Sequence, residues 1–319
     1  MSLFGHDEAW GQWRNALAGP RMHHAWLLAG KRGLGKMHFA RAAAQELVAS
    51  VMPVGGADHP DIIVLDHAPK DEKEEKKRAE GKPYETKRNI SVGQIRQMQQ
   101  RLITRPTLGD RRAIIIDPAD DMEPSASNAL LKSLEEPPEG TFFLLVSHRP
   151  ARLLPTIRSR CRLLRFHALG DDQVEQAVRR EAQDADAATI QASVAAASGS
   201  PGVALEFVEQ GLGRLYGLME QLVREGDRDF AVRGQLAEAI GARPKREAMQ
   251  AALDLARSIL AARIGDADRP AQRAMIEAHG ELVRLAGQAP TYNFDAGLLV
   301  MQIGSLLASA APASERANV

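Results

Sequence analysis

Five short apolar runs, separated by polar or helix-forming stretches, organise the first half of the chain. Each run is almost continuous in Ile, Leu, Val, Phe or Ala, which is typical of strands buried on both faces of a parallel sheet. Because helix-forming stretches alternate with these runs, the pattern predicts an α/β fold with helices on both faces. The predicted strands are 25–29, 61–66, 112–117, 141–146 and 162–166, and the predicted helices include 37–51, 91–104 and 125–136.

The pattern changes after residue 166. Strand-like runs disappear, and the remainder is rich in Ala and Leu at helical spacing, so this part is predicted to be all-helical. Glycine and proline interrupt it near residues 199–202, 211–213, 241–244, 265–270 and 288–291. These breaks predict an α/β domain, a small helical unit, a larger helical domain and a frayed tail, with bounds 1–167, 168–210, 211–312 and 313–319.

Residues 70–88 interrupt the α/β part with charge. Of these 19 residues, eight are basic and six are acidic. A segment with so little apolar surface to bury is expected to be a solvated or disordered loop. A contact arm for a partner is the alternative interpretation.

Composition narrows the classes of function. The chain has 319 residues, 44% of them hydrophobic, and its 41 basic and 41 acidic residues leave no global positive field for nucleic acid. One cysteine, Cys161, excludes an intrachain disulfide framework and a multi-cysteine zinc site. With no signal-like amino terminus and no apolar run long enough for a membrane span, a cytoplasmic location is expected.

Residues 30–37 come close to a phosphate-binding loop. In the pattern G-x-x-x-x-G-K-[ST], glycines let backbone N–H groups surround phosphates, the lysine reaches the β- and γ-phosphates, and the hydroxyl binds Mg²⁺. Gly30, Gly33, Gly35 and Lys36 fit this arrangement, but Met37 stands where the hydroxyl is needed. The sequence therefore predicts a nucleotide-binding fold that lacks part of its chemistry.

Asp117, at the end of a predicted buried strand, is a second candidate functional residue. An acid at that place in a sheet with a phosphate loop commonly holds Mg²⁺ or its water shell. The carboxylate that usually orients the attacking water one position later is replaced by Pro118. A simple loop-capping role for Asp117 is the alternative interpretation.

Several segments together resemble the clamp-loader branch of the AAA+ proteins. The resemblance covers about residues 4–205 and rests on the segments 4–6 (FGH), 24–30 (HAWLLAG), 127–138 (SNALLKSLEEPP) and 153–161 (LLPTIRSRC). It implies an AAA+ P-loop domain with a helical lid and a carboxyl-terminal collar that closes a five-subunit ring. The implied partners are subunits of the gamma/tau and delta types, and through them a sliding clamp and primed DNA, with no membrane.

The resemblance gives roles to individual residues. Ser159, Arg160 and Cys161 match the S-R-C motif, whose arginine is implied to reach the γ-phosphate of ATP in the next subunit. A planar guanidinium suits that task, since it can neutralise charge on the transferred phosphoryl group. Without the resemblance, the sequence indicates only a basic edge near a strand, formed by Arg158, Arg160, Arg162 and Arg165. Cys161 is then a small buried hydrophobic residue.

Two further positions concern the nucleotide. Ser147 matches a polar sensor of the γ-phosphate, with capping of the next segment as an equal alternative. Gly202 stands where the lid motif has an arginine that contacts nucleotide. Together with Met37 and Pro118, this predicts a subunit that completes a neighbour's active site, requires no cofactor and binds ATP or ADP only weakly. An active ATPase motor subunit is the alternative function.

Metal sites are not expected. Many relatives insert a four-cysteine zinc module after the first helix, whereas residues 52–90 contain no cysteine. The histidines show no ligand spacing such as H-E-x-x-H. The sequence therefore predicts no zinc and no other bound metal.

Overall fold

The computed structural model describes residues 5–50, 59–241, 244, 246–289 and 294–311. Its contacts divide the chain into two compact units, Met1–Ala168 and Leu169–Val319. Within the described residues, every strand lies in the first unit, and the second is built from helices. This confirms the predicted α/β fold followed by an all-helical region.

The strands form where the apolar runs predict them, to within one residue at each end. In the first unit the elements are α1 (Asp7–Ala18), β1 (Ala25–Ala29), α2 (Lys36–Val48), β2 (Ile62–Leu65), α3 (Glu72–Ala79), α4 (Val92–Leu102), β3 (Arg112–Ile116), α5 (Pro124–Glu135), β4 (Thr141–Ser147), α6 (Pro155–Arg158) and β5 (Arg162–Arg165). In the second unit they are α7 (Asp171–Glu181), α8 (Ala187–Ala197), α9 (Pro201–Glu209), α10 (Gly213–Glu225), α11 (Ala231–Ile240), α12 (Arg246–Arg263), α13 (Arg269–Gln288) and α14 (Ala296–Ser309).

The five strands form one sheet in the order β2-β3-β4-β1-β5, and all neighbouring pairs are parallel. β1 therefore lies between β4 and β5. In this register Ala29 is opposite Ser147 of β4 and Arg165 of β5. The carboxyl ends of β1 and β4 consequently meet at one edge of the sheet.

Helices cover both faces of the sheet, because alternate residues of each strand point to opposite sides. On one face, Trp26 and Leu28 of β1 pack with the apolar residues of α1 and α2, including Trp13 and Phe39, in a fully buried cluster. On the other face, Leu27 packs with apolar residues of α4 and α5. Burial of each such large side chain contributes about 1.5–3 kcal/mol relative to exposure.

The charged segment 70–88 is more ordered than composition predicts, and the expectation of a loop is wrong for its first half. α3 begins where the Asp71 carboxylate accepts hydrogen bonds from the N–H groups of Lys73 and Glu74. Acidic residues fill its first turn and basic residues its last turn, which complements the helix dipole. The carboxylate of Glu74 also accepts from the backbone N–H of Glu85, 2.7 Å away. The cap at Asp71 and the order of acidic and basic residues thus stabilise α3 in place of a hydrophobic face.

The second unit contains two apolar clusters. The smaller one joins α7, α8 and α9 through residues such as Val174, Ile190 and Ala204. The larger one joins α10 to α14 and also includes Phe207 of α9. The division into a lid (168–210) and a collar (211–312) stays a prediction, and the predicted tail 313–319 lies outside the described residues.

Candidate functional site

The phosphate loop connects the end of β1 to the start of α2. Gly33 and Gly35 have φ angles of 79° and 76°, in the left-handed region that side chains disfavour. Gly30 is required for space, since a Cβ atom there would lie 2.4 Å from the carbonyl oxygen of Phe166. The path of the loop therefore favours glycine at all three positions, whether or not a nucleotide binds.

Lys36 is buried inside its own loop, with 3% of its surface exposed. Its Nζ atom donates hydrogen bonds to the carbonyl oxygens of Gly30, at 2.8 Å, and Lys31, at 2.6 Å. Burial lowers the pKa of Lys36 to about 8, although the charges of Asp117 and Asp120 oppose the shift. The ammonium group is thus held by the loop that would otherwise present it to phosphate.

Met37 and Pro118 stand at the two positions that correspond in sequence to the metal-binding hydroxyl and the catalytic carboxylate. Met37 packs against the apolar cluster of α1 and α2 and offers no oxygen to a metal ion. Pro118 follows Asp117 directly and has neither a carboxylate nor an N–H group. The loss of ATP hydrolysis stays a prediction.

Asp117 lies where β3 ends, and its backbone N–H donates to the carbonyl oxygen of Leu65 at 2.9 Å. Burial raises the pKa of Asp117, against the charge of Lys36. Sequence reasoning missed Asp120, whose carboxylate accepts from the backbone N–H groups of His148 and Arg149 at 2.8 and 2.9 Å. Asp120 therefore fixes the turn that follows β4.

Ser147 ends β4 beside the phosphate loop, because its carbonyl oxygen accepts from the N–H of Gly30 at 3.3 Å. Its side chain is fully buried, and its hydroxyl has no hydrogen-bond partner among the described residues. Burial also lowers the pKa of the neighbouring His148 to about 4, so this imidazole is neutral at pH 7. The structure thus brings Ser147, Gly30, Lys36 and the carboxyl end of β3 together, and their predicted roles toward a nucleotide stay predictions.

Arg160 belongs to a different neighbourhood. Its Nη1 donates to the carbonyl oxygen of Thr156 at 2.9 Å, and its Nη2 forms an ion pair with Oε1 of Glu135 at 2.6 Å. Ser159 donates its hydroxyl to the same carbonyl of Thr156 at 3.1 Å. About a third of the Arg160 side chain is exposed, so the guanidinium is both held and accessible.

Strand register separates Arg160 from the phosphate loop. Arg162, at the start of β5, is opposite Trp26, whereas Arg165 is opposite Ala29 at the end of β1. At 3.3 Å per residue, these two levels are roughly 10 Å apart, and Arg160 precedes the lower one. The arginine therefore lies toward the amino ends of β1 and β5, away from the loop of its own chain.

Cys161 packs against the apolar cluster beneath α5 and α6. Burial raises the pKa of its thiol to about 12, which keeps it protonated and unreactive. Glu135, the partner of Arg160, was missed by sequence reasoning. It lies inside the segment 127–138 that carries the family resemblance, but its spacing alone does not indicate an arginine partner.

Neither a metal centre nor a membrane-spanning helix occurs in the described part of the chain. No group of three or more His, Cys, Asp or Glu side chains there is arranged to hold a metal ion. None of the helices described is both long enough and apolar enough to cross a bilayer. The absence of zinc stays a prediction.

The fold and the loop between β1 and α2 define the class as an AAA+-type P-loop protein. Residues 5–170 match the family described as DNA polymerase III, delta subunit. Because this match covers more than half of the chain, the protein belongs to that family.

Individual relatives agree with this assignment. The chain is 33% identical to DNA polymerase III subunit delta' of Pseudomonas aeruginosa over 63% of this chain and 62% of the relative. It is 30% identical to DNA polymerase III subunit tau/gamma of Haemophilus influenzae over 51% of this chain and 23% of the relative. The matched parts thus span less than two thirds of both relatives.

A solved structure supports the fold. A gamma subunit-related protein of DNA polymerase III from Thermotoga maritima superposes with a TM-score of 0.52 at 18% identity. The superposition covers 95% of this chain and 99% of the other.

The buried charge of Lys36 predicts a pH dependence of stability. Its pKa is about 8 in the native chain, against 10.5 for an unperturbed lysine. Between these values the unfolded chain binds more protons than the native chain, so native stability rises with pH. Relative to Lys36→Met, the free energy of unfolding should increase by up to about 1.4 kcal/mol per pH unit in this window.

Urea denaturation of both proteins at several pH values from 7 to 10.5 measures the difference. Lys31→Met, which removes an exposed lysine from the same loop, is the matched control. A difference between the unmutated protein and Lys36→Met that stays constant with pH would contradict the burial of this charge.

Proposed function

We propose that this chain is a delta-prime-type subunit of a DNA polymerase III clamp loader. It has no ATP turnover of its own and places Arg160 at the ATP site of a neighbouring subunit. Its partners are subunits of the gamma/tau and delta types, and the assembly loads a sliding clamp onto primed DNA in the cytoplasm. Family membership and similarity to a delta' subunit support this proposal.

One observation carries the proposal. The loop beside Lys36 has lost the hydroxyl and the carboxylate of hydrolysis, while an accessible arginine lies some distance away at the other end of the strands. Met37 is partly buried against an apolar cluster and Pro118 has no carboxylate, so restoring activity needs more than a movement of side chains. This combination favours a role for Arg160 at another subunit's nucleotide.

Arg160 has donors to spare for a phosphate. A guanidinium carries five N–H donors, and the contacts with Thr156 and Glu135 engage one on each of two nitrogen atoms. The remaining donors can meet the oxygens of a triphosphate in a bidentate manner. This arrangement suits stabilisation of charge in phosphoryl transfer.

The nucleotide site of the chain itself needs no cofactor in this proposal. Lys36 already donates to two loop carbonyls, so phosphate has to replace these bonds in order to bind. Gly202, near the start of α9, has no side chain to contact a nucleotide. We propose weak binding of ADP or ATP without a requirement for Mg²⁺, and no zinc.

An active ATPase motor subunit is the second candidate. The retained Lys36 and Asp117 favour it, as does the similarity to a tau/gamma subunit. It requires another residue to take the role lost at Pro118. The carboxylates of Asp66 and Asp120 interact with that of Asp117, but Asp120 already accepts hydrogen bonds from the backbone N–H groups of His148 and Arg149. ATP turnover by the purified chain separates the two candidates.

One face of α13 supports assembly through the carboxyl-terminal helices. Ile276, Gly280, Val283 and Gly287 follow one another at helical spacing along one stripe. Ile276 is 56% exposed and Val283 is 45% exposed. A Cβ atom at either glycine would meet nothing within 4 Å, so packing within the described chain does not explain them. Glycine inside a helix costs about 1 kcal/mol relative to alanine, and close approach of a partner helix would offset that cost.

The isolated protein should show negligible ATPase activity, because the Mg²⁺-binding hydroxyl and the catalytic carboxylate are both missing. Phosphate release by the purified chain, with and without Mg²⁺, measures this. Turnover of roughly 1 per second or more, ordinary for an enzyme, would favour the motor subunit instead.

Arg160→Ala should leave the protein folded and able to assemble, but should lower ATP hydrolysis at the neighbour's site by at least tenfold, since arginine fingers contribute roughly 10³–10⁵ in rate. The measurement uses reconstituted complexes in which the other ATP sites are inactivated. Arg160→Lys should rescue poorly, because an ammonium group lacks the guanidinium fork.

Arg158→Ala is the matched control, because Arg158 is exposed, lies two residues away, and its side chain forms no hydrogen bond or ion pair with the described residues. Complexes with Arg160→Ala that hydrolyse ATP and load clamps at the unmutated rate would overturn the role in trans.

The double variant Ile276→Asp/Val283→Asp should weaken ring assembly at least tenfold, because two carboxylates would be buried against a partner helix. Sedimentation of the mixed subunits measures assembly, and thermal unfolding checks the fold. Ile103→Asp, at an isoleucine that is 85% exposed in the first unit, is the control. Unchanged assembly of the double variant would contradict a contact through this face of α13.

A further inference from the structure

Glu135 is the one acidic side chain that contacts Arg160 in the described structure, and its place in the sequence does not indicate this contact. Its carboxylate lies 2.6 Å from Nη2 of Arg160. Arg158 and Arg165, by contrast, form no ion pair with described residues, and Arg162 lies over the ring of Trp26 at 4.9 Å. Within this arginine-rich stretch, an acidic partner is provided for Arg160 alone.

The two side chains meet because their helices are packed together. Leu134 of α5 and Ile157 of α6 are both buried in the same apolar cluster. Each lies next to, or near, one member of the ion pair, so the core beneath fixes the positions of Glu135 and Arg160. The packing of α5 against α6 therefore sets the position of the ion pair, which does not depend on a mobile loop.

Local helix energetics do not favour an acid at position 135. Glu135 is the last residue of α5, and a negative charge at a helix carboxyl terminus is repelled by the helix dipole. The contact with Arg160 offsets this repulsion. Half of the Glu135 side chain is exposed, so the pair contributes little to stability, and its larger effect is on the orientation of the guanidinium.

We propose that Glu135 is a positioning residue for Arg160. Thr156 holds Nη1 and Glu135 holds Nη2, and two contacts on different nitrogen atoms fix the plane of the guanidinium. The remaining N–H groups then point in a set direction toward the partner's nucleotide. This inference rests on the proposed role of Arg160 in trans.

The experiment compares Glu135→Ala, Glu135→Gln and Arg160→Ala in reconstituted complexes with the other ATP sites inactivated. Glu135→Ala should lower kcat three- to tenfold while KM for ATP and subunit assembly change less than twofold. Glu135→Gln should recover part of the rate, because its amide oxygen still accepts from Nη2. Glu136→Ala is the matched control, since Glu136 is the next residue, is also exposed and forms no ion pair with described residues.

A double variant tests whether Glu135 acts through Arg160. In the Arg160→Ala background, Glu135→Ala should cause no further loss of rate. A further loss, an unchanged kcat for Glu135→Ala, or a rate above that of the unmutated complex would each overturn the positioning role. If Arg160→Ala itself has no effect, the proposed function fails; a defect of Arg160→Ala without one of Glu135→Ala refutes only the present inference.

Discussion

The parallel ladder that holds β1 between β4 and β5 determines where all of the chemistry in the first unit lies. Parallel strands bring their carboxyl ends to one edge of a sheet, so Lys36, Asp117 and Ser147 meet although they are far apart in sequence. The same register places Arg160 before the start of β5, beside the amino-terminal part of β1. One sheet thus carries two separate sites at opposite ends of its strands.

The two sites differ in how deeply their charged groups are buried. At the carboxyl edge, burial moves the pKa values of Lys36 and Asp117 toward neutral forms, and the lysine donors are satisfied by loop carbonyls. At the other end, Arg160 keeps a partly exposed ion pair that water screens. At the first site the charged groups are buried, so their ionised forms cost free energy. At the second site the guanidinium of Arg160 is partly exposed and accessible to another molecule. This contrast supports the proposal that the nucleotide site of the chain itself is inactive and that Arg160 acts at another subunit.

Sequence pattern predicts the sheet well, because a strand buried on both faces leaves a continuous apolar run. It also predicts the loop between β1 and α2, since the glycines and Lys36 that form it are close together in the chain. It fails for α3, where a cap at Asp71 and a bond between Glu74 and the backbone of Glu85 order a segment with little apolar surface. It also misses the partner of Arg160, because Glu135 is brought there only by the packing of α5 against α6.

The close approach of Gly30 to Phe166 gives part of the phosphate loop a structural role. Any side chain at position 30 would push against the backbone that follows β5, and loss of Lys36 would leave two loop carbonyls without their donor. Methionine at 37 and proline at 118 make no such demand on the scaffold. The glycines and the lysine thus have structural roles in this loop that do not depend on a bound nucleotide.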